Sequence, residues 1–276
     1  MSLPTIRRPA ALLVSASLRE ERERRKIGLR RLADKLSMSP ARLSGLELGT
    51  HVPHAPDVAH ILGFLGISGA EYEKLIKLAK QVRDDNLITH EDMQAFSLMW
   101  TYEQLSDRVV EWSPFYLPDQ LRLRQHFDRD PGTGEEPPGS GELEPLERAV
   151  RQQVMLNGPR RYLFLIGEEA LRAVSSEADS EEQVRHLRTV AGLHHVSVRI
   201  VPTKAKGLNP PHAFTLYESR RTSMAVAFKN VHCTAYLTEK PLLDKYSGTA
   251  EALQREALSK SATADALGGF PWDRVS

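Results

Sequence analysis

Apolar residues between Leu18 and Ile67 recur at intervals of three and four positions, which is the spacing of short amphipathic helices. One face of the clearest segment carries Leu29, Leu32, Ala33 and Leu36. The fifth segment opens on Ser68 and Glu71, which have the spacing of a capping box. The pattern predicts five helices, at about 13–25, 29–36, 40–48, 56–65 and 69–82.

The third predicted helix has clear local boundaries. Ser39 is a favourable N-cap, Pro40 suits the first helical position, and Gly49 suits the end of the helix. If Leu43 and Leu46 turn inward, the outer face carries Pro40, Ala41, Arg42, Ser44 and Gly45. Two short helices joined by three or four residues are typical of a helix-turn-helix, whose second helix enters a DNA groove.

The pattern changes after Leu87. An aromatic-rich stretch up to Leu117 predicts two further helices, broken at Pro114 and Pro118. Further helices are predicted near 143–154, 168–174, 180–193 and 241–258, and strands near 161–166, 196–200, 213–218, 223–228 and 234–238. We therefore expect an all-α helix-turn-helix domain of five helices, followed by an α+β domain with one mixed sheet. The expected divisions are an N-terminal arm at 1–17, the helix-turn-helix domain at 18–85 and the α+β domain at 86–276, with a flexible loop at 130–142.

Charge separates the same two regions. Residues 1–83 carry 15 basic and 8 acidic side chains, a net charge of +7, whereas the rest of the chain carries −6. A basic module joined to an acidic one is the electrostatic pattern of a polyanion-binding domain beside a domain that does not bind polyanions. The alternative is that the run from Arg19 to Lys26 is only a solvated helix face with i,i+4 ion pairs.

The order of these motifs resembles the Cro/phage-repressor, or XRE, class of helix-turn-helix regulators. The resemblance is carried by the run from Ile27 to Ala33, by the run from Ser39 to Gly49, and by the apolar positions that follow. In that class an arginine of the first helix pairs with the glutamate that closes the third. The resemblance therefore implies an ion pair between Arg22 and Glu47.

A second resemblance covers the C-terminal half. Trp112, the run Leu117 to Leu121, the run Ile166 to Arg172 and the run Val198 to Pro202 look like the domain that accompanies this helix-turn-helix in many actinobacterial regulators. Such regulators are often encoded beside a small partner protein and are described as antitoxin-like. After the proline, relatives carry a Gly-Leu-Leu-Gln-Thr run, from which Asp119 to Leu123 departs.

The residue types on the third helix limit how bases can be read. Pro40 and Gly45 have no side-chain donor, Ala41 can touch a thymine methyl, and Arg42 can bind guanine or only a phosphate. Sequence preference should therefore depend strongly on DNA shape. We expect DNA contacts from Arg30, Arg31, Ser39, Pro40, Ala41, Arg42, Ser44, Gly45, Thr50 and His51.

Motifs for catalysis or metal binding are weak. The spacings of His186, His194, His195, His232 and Cys233 match no established zinc pattern. The glycine-rich run 131–141 lacks the preceding strand and the Gly-Lys-Ser/Thr of a phosphate-binding loop, which favours a linker. We therefore expect no metal, no cofactor and no enzymatic activity. The single cysteine fits a reducing cytoplasm, and no apolar run is long enough to span a membrane.

Together these features predict a cytoplasmic, nucleoid-associated transcriptional regulator that binds double-stranded DNA as a homodimer. Its C-terminal domain would sense a small partner protein encoded nearby or a small-molecule effector. The alternative is an antitoxin-like protein-interaction module in which DNA binding is secondary. An enzyme with a DNA-binding appendage is a third class, which would need convergent polar residues in a C-terminal pocket.

Overall fold

The computed structural model describes residues 8–90, 92–123, 143–175, 180–203, 210–220, 222–230 and 233–269. The loop predicted at 130–142 lies outside these residues. The chain divides into two compact units, the first made of Met1–Leu105 with Lys229–Leu243 and the second of Ser106–Phe228 with Asp244–Ser276. No helix in the described ranges is long and apolar enough to cross a membrane.

The five helices predicted at the amino-terminal end are confirmed. Their bounds are α1 Pro9–Arg24, α2 Leu29–Lys35, α3 Pro40–Glu47, α4 Ala55–Phe64 and α5 Gly69–Lys80. Helix α1 begins four residues earlier than predicted, so residues 9–17 of the expected arm form its first half. Ala10 to Val14 are buried there, and burying this apolar run stabilises the extra turn. Ser68 is the N-cap residue of α5, but its side chain accepts no capping hydrogen bond, so the predicted capping box is not formed.

Helices α1 to α4 end in the same way. In each, the residue after the C-cap has a positive φ, and the next N–H returns to a carbonyl five residues earlier, as in the Schellman motif. Gly49 and Gly66 take this conformation at φ 67° and 71° without a side-chain clash. Lys26 and Ser37 take it at φ 55° and 53° and bear the steric cost of their Cβ atoms.

The rest of the first unit is a strand pair and one helix. Strands β1 (Asn86–Thr89) and β7 (Thr234–Leu237) pair antiparallel. Helix α6 (Asp92–Leu105) packs against α1, and Tyr102 stacks on Tyr236 with ring centroids 5.8 Å apart. The sequence predicted only helices between 87 and 117, so β1 is a correction. Strand β1 is only four residues long and supplies one short alternation of exposed and buried positions, too little for a periodic signal.

The second unit is built on the parallel strands β2, β3 and β4. Strand β5 pairs antiparallel with β2, and β6 pairs antiparallel with β5. Their bounds are β2 Arg108–Ser113, β3 Arg161–Gly167, β4 Val196–Val201, β5 Phe214–Ser219 and β6 Thr222–Lys229. The strands that the structure describes form one mixed sheet, as predicted. The prediction of a helix at β2 was wrong. This strand lies between β3 and β5 and is buried on both faces, so it lacks the alternation that marks a half-exposed strand.

The remaining helices are α7 Leu143–Asn157, α8 Glu168–Ser175, α9 Ser180–Ala191, α10 Lys240–Glu256 and α11 Lys260–Gly268. The segment between α10 and α11 covers the outer edge of β4. The Leu258 N–H donates to the Ile200 carbonyl at 2.8 Å, and Arg199 donates to the carbonyls of Ala257 and Leu258, each at 2.7 Å. This contact protects a strand edge that would otherwise pair with another chain. Helix α11 was not predicted.

Candidate nucleic-acid interface

Helix α3 is delimited by its own capping residues. The Ser39 hydroxyl accepts a hydrogen bond from the Arg42 backbone N–H at 3.2 Å, and a proline occupies the first turn. Leu43 and Leu46 are buried, so the helix packs through one side. The exposed positions are Pro40, Ala41 and Arg42. The amino-terminal half of α3 is therefore accessible, which is the half that contacts bases in a helix-turn-helix.

The inner side of α3 is joined to α1 by Arg22 and Glu47, the two residues that the resemblance pairs. Arg22 Nε donates to Glu47 Oε1 at 2.7 Å, and Nη2 donates to Oε2 at 2.8 Å. Arg22 Nη1 also donates to the Ile27 carbonyl at 3.0 Å. The exposed fractions of the two side chains are 11% and 3%. The hydrogen bonds that Arg22 donates to Glu47 raise the pKa of the Arg22 guanidinium, so the arginine stays charged and fixes the end of α3 against α1.

The outer side carries a second arginine–carboxylate contact, between Arg42 and Asp57. Arg42 Nη2 lies 2.9 Å from Asp57 Oδ1 and 3.1 Å from Oδ2. Asp57 is in the first turn of α4, where a carboxylate faces the positive end of the helix dipole. The Arg42 side chain remains 56% exposed, so DNA can reach it. Sequence reasoning missed Asp57 because the two residues lie on different helices and no local spacing relates them.

Gly45 is a correction to the predicted outer face. It is buried rather than exposed, because the imidazole of His51 covers it. A Cβ at position 45 would lie 1.9 Å from His51 Nδ1, so only glycine accepts the ring at this distance. The Gly45 carbonyl also accepts hydrogen bonds from the backbone N–H groups of Thr50 and His51, at 2.9 and 3.0 Å. Gly45 therefore shapes the interface by positioning His51, and offers no surface of its own.

The remaining predicted contacts lie beside this helix. Ser44 is half-buried, and Thr50 Oγ1 donates to the Gly45 carbonyl at 3.3 Å. His51 is exposed. A cleft of about 580 Å³ opens between α3 and the segment 51–57, with Arg42 and Asp57 in its wall. The cleft brings the exposed end of α3 and the following loop into one surface.

The basic side chains of α1 and α2 differ in how they are paired. On α1 the ion pairs join Arg19 to Glu23, Arg24 to Glu21 and Arg25 to Glu21. On α2, Arg30 and Arg31 are exposed and form no ion pair with any residue that the structure describes. Because paired arginines already have a carboxylate partner, the cations most available to a phosphate backbone are those of α2. Of these two helices, α2 therefore carries the arginines that are exposed and have no ion pair among the described residues.

The described histidines of the second half and Cys233 do not form a metal centre. In the part of the chain that the structure describes, no three histidine, cysteine or acidic side chains are grouped to hold a metal ion. His232 lies outside the described residues. His195 Nε2 is 2.7 Å from the Met155 carbonyl, and burial lowers the pKa of His186. These contacts are those of structural side chains.

The segment that departs from the resembling regulators is held by two glutamines. The Gln183 side chain accepts from the Leu123 N–H and donates to the Leu121 carbonyl, both at 2.8 Å. Gln152 Nε2 donates to the carbonyls of Gln120 and Arg122, each at 3.2 Å. Helices α7 and α9 thus provide hydrogen-bond partners for the backbone of residues 120–123, at the end of the short 3-10 turn Asp119–Leu121.

Comparison with known proteins assigns both halves of the chain. A helix-turn-helix domain model matches residues 14–75, and the domain of unknown function DUF5753 matches residues 96–269. No curated protein matches the chain. The first match contains α2, α3 and α4 and agrees with the interface described above. The helix-turn-helix domain at residues 14–75 supports a DNA-binding regulator. Because the second match spans more than half of the chain, this protein belongs to the DUF5753 family.

Proposed function

We propose that this protein is a sequence-specific transcriptional regulator of the XRE type, which binds double-stranded DNA with α3 in the major groove. The observation that supports this most directly is the surface made by α2 and α3. An exposed helix end carrying Arg42 lies next to a helix whose Arg30 and Arg31 are exposed and have no ion partner among the described residues. A guanidinium group can bind a phosphate or the edge of a guanine, and its position relative to the groove decides which of the two it contacts.

Each residue of this surface has a role in the proposal. Arg30 and Arg31 bind phosphates, and Arg42 contacts a base edge. The Ser39 hydroxyl accepts the Arg42 N–H and keeps its own proton for a phosphate oxygen, while Pro40 and Ala41 provide close apolar contact. Thr50 donates to the Gly45 carbonyl and would exchange this contact for a phosphate oxygen. His51, supported by Gly45, contacts the backbone beyond the carboxyl end of α3. With one long polar side chain on the exposed end of α3, sequence preference depends in part on groove shape.

The second unit is proposed to assist dimerisation and to receive a signal, from a small partner protein or a small molecule. A dimer would place two copies of α3 in successive major grooves, about 34 Å apart. The resemblance to actinobacterial antitoxin-like regulators supports this part of the proposal. The regulator would then act on chromosomal DNA in the cytoplasm.

In vitro selection from random duplexes, followed by mobility-shift titration, tests the function. We expect the full chain to enrich one motif, and Arg42→Ala to weaken binding to that motif more than to a scrambled duplex. Arg30→Ala and Arg31→Ala should weaken both duplexes alike, and each should reduce the slope of log K against log salt by about 0.9. Arg188→Ala, an exposed arginine of α9, is the control and should bind like the wild type. A chain that enriches no motif at moderate salt would contradict the proposal.

A further inference from the structure

We infer that Asp57 is a specificity-determining residue of the α3 interface, because it holds the Arg42 guanidinium in one orientation. DNA recognition then depends on the base that this orientation meets. The inference rests on the DNA-binding function proposed above and adds to it a positioning residue that lies on a different helix.

The geometry of the contact makes Asp57 the fixed partner. Its side chain is short and 21% exposed, and it belongs to the first turn of α4, which the helix dipole stabilises. Arg42 is long and 56% exposed. In the absence of the contact its flexible chain would sample many rotamers. The carboxylate therefore orders the arginine, not the reverse.

The contact leaves the arginine able to bind DNA. Both carboxylate oxygens approach one terminal nitrogen, Nη2, at 2.9 and 3.1 Å. The two oxygens of one carboxylate subtend a narrow angle at Nη2 and occupy one of its two N–H groups. The other N–H of Nη2 and the neighbouring N–H of Nε or Nη1 form one edge of the rigid fork, and that edge stays available. A bidentate contact to guanine needs only two donors. Asp57 thus restricts the direction of the guanidinium group and leaves donors free to bind a base.

The rest of α3 makes this restriction decisive. Among its exposed positions, Pro40 and Ala41 have no hydrogen-bonding side chain, and Gly45 is buried under His51. Among the exposed side chains of this helix, base readout by hydrogen bonds therefore depends on where Arg42 points. A carboxylate in the same surface also repels phosphates, and this repulsion applies to every DNA sequence. Asp57 should weaken binding to all DNA slightly while favouring the sequence that accepts the ordered arginine.

The experiment compares affinities for the selected motif and for a scrambled duplex, using the full chain. Asp57→Asn removes the charge and keeps the size of the side chain. Asp57→Glu keeps the charge and moves the carboxylate by one methylene. Asp34→Asn is the matched control, because Asp34 is an exposed carboxylate of α2 that forms no hydrogen bond or ion pair with Arg42. Both Asp57 variants are repeated in the Arg42→Ala background, and thermal melting checks that each variant is folded.

We expect Asp57→Asn to lower the ratio of specific to non-specific affinity about tenfold, the effect of misplacing one bidentate base contact. Non-specific binding should tighten, and its salt slope should steepen by about 0.9, since the released arginine reaches a phosphate. Asp57→Glu should lower the ratio without that tightening, and neither variant should change the ratio when Arg42 is absent.

Two results would overturn the inference. If the wild-type chain selects a motif and Asp57→Asn keeps its ratio, or changes it only as Asp34→Asn does, then Asp57 does not position Arg42 while the proposed function still stands. If the wild-type chain selects no motif and every variant binds all duplexes alike, the proposed function and this inference fail together.

Discussion

Each side of helix α3 carries an arginine–carboxylate pair, but the two pairs differ in burial and in role. On the inner side, Arg22 and Glu47 form a fork whose side chains are 11% and 3% exposed. On the outer side, Arg42 and Asp57 meet through one nitrogen, with exposed fractions of 56% and 21%. A buried charge that loses its partner has no water to replace it, whereas an exposed one exchanges its partner freely. Burial therefore decides which arginine holds the fold and which remains available to a ligand.

The largest effect is expected on the inner side. Glu47→Gln leaves the Arg22 guanidinium with only the exposed Glu23 carboxylate, 3.4 Å from its Nη2, so we expect a loss of about 3 to 5 kcal/mol in the free energy of unfolding. Urea denaturation followed by circular dichroism measures it. Glu23→Gln, which removes an exposed partner of Arg19 and this longer contact of Arg22, is the comparison and should have only a small effect.

The double variant Arg22→Met with Glu47→Leu sharpens the same point. Replacing both charges by apolar side chains of similar volume removes the desolvation cost along with the attraction. The double variant should therefore be more stable than Glu47→Gln alone. If the double variant and Glu47→Gln lost the same free energy of unfolding, the hydrogen bonds of the Arg22–Glu47 pair would stabilise the domain in addition to neutralising the buried charge.

On the outer side, Arg42→Ala should separate binding from stability. We expect a change below about 1 kcal/mol in the free energy of unfolding, since the pair is exposed. Binding to the selected motif should lose about 1 to 3 kcal/mol, the value of one good base contact. Calorimetric melting and mobility-shift titration measure the two quantities on the same preparation. A large drop in the melting temperature of Arg42→Ala would show that the outer pair also stabilises the fold, as the inner pair is expected to do.

Gly45→Ala tests the contact between the helix and His51. The added methyl group displaces the imidazole, which offsets the gain of up to about 1 kcal/mol that alanine brings over glycine inside a helix. In a His51→Ala background the ring is absent, and the same substitution should raise stability by about that amount. Equal effects of Gly45→Ala in both backgrounds would show that His51 does not restrict this position.

The smallest expected effect is at the junction between α2 and α3. Ser37 has a φ of 53°, so Ser37→Gly relieves a left-handed conformation and should stabilise the domain by up to about 1 kcal/mol. Lys35→Gly, in the last turn of α2, is the matched control and should destabilise by about 1 kcal/mol. Because neither residue lies on α3, motif selectivity should stay unchanged in both.

Prediction from sequence succeeded where signals are local. The caps of α3, its final Gly49 and the apolar spacing of α1 to α5 involve residues within a few positions of one another. Strand β2 failed for the opposite reason. It is buried on both faces between β3 and β5, so its environment comes from distant parts of the chain. The same holds for α11, whose preceding segment pairs with the edge of β4.

The sequence by itself determined that the first domain has five helices and where α2, α3 and α4 begin and end, because caps, glycines and apolar periodicity act over one or two turns. It also determined that basic charge is concentrated in the first 83 residues. Only the tertiary structure decided which of those charges are available. Glu47, which binds Arg22, lies 25 residues along the chain, and Asp57, which binds Arg42, lies 15 residues along the chain. The ring of His51, which covers Gly45, belongs to a loop. Contacts between elements depend on how the helices pack, and no short stretch of sequence contains that information.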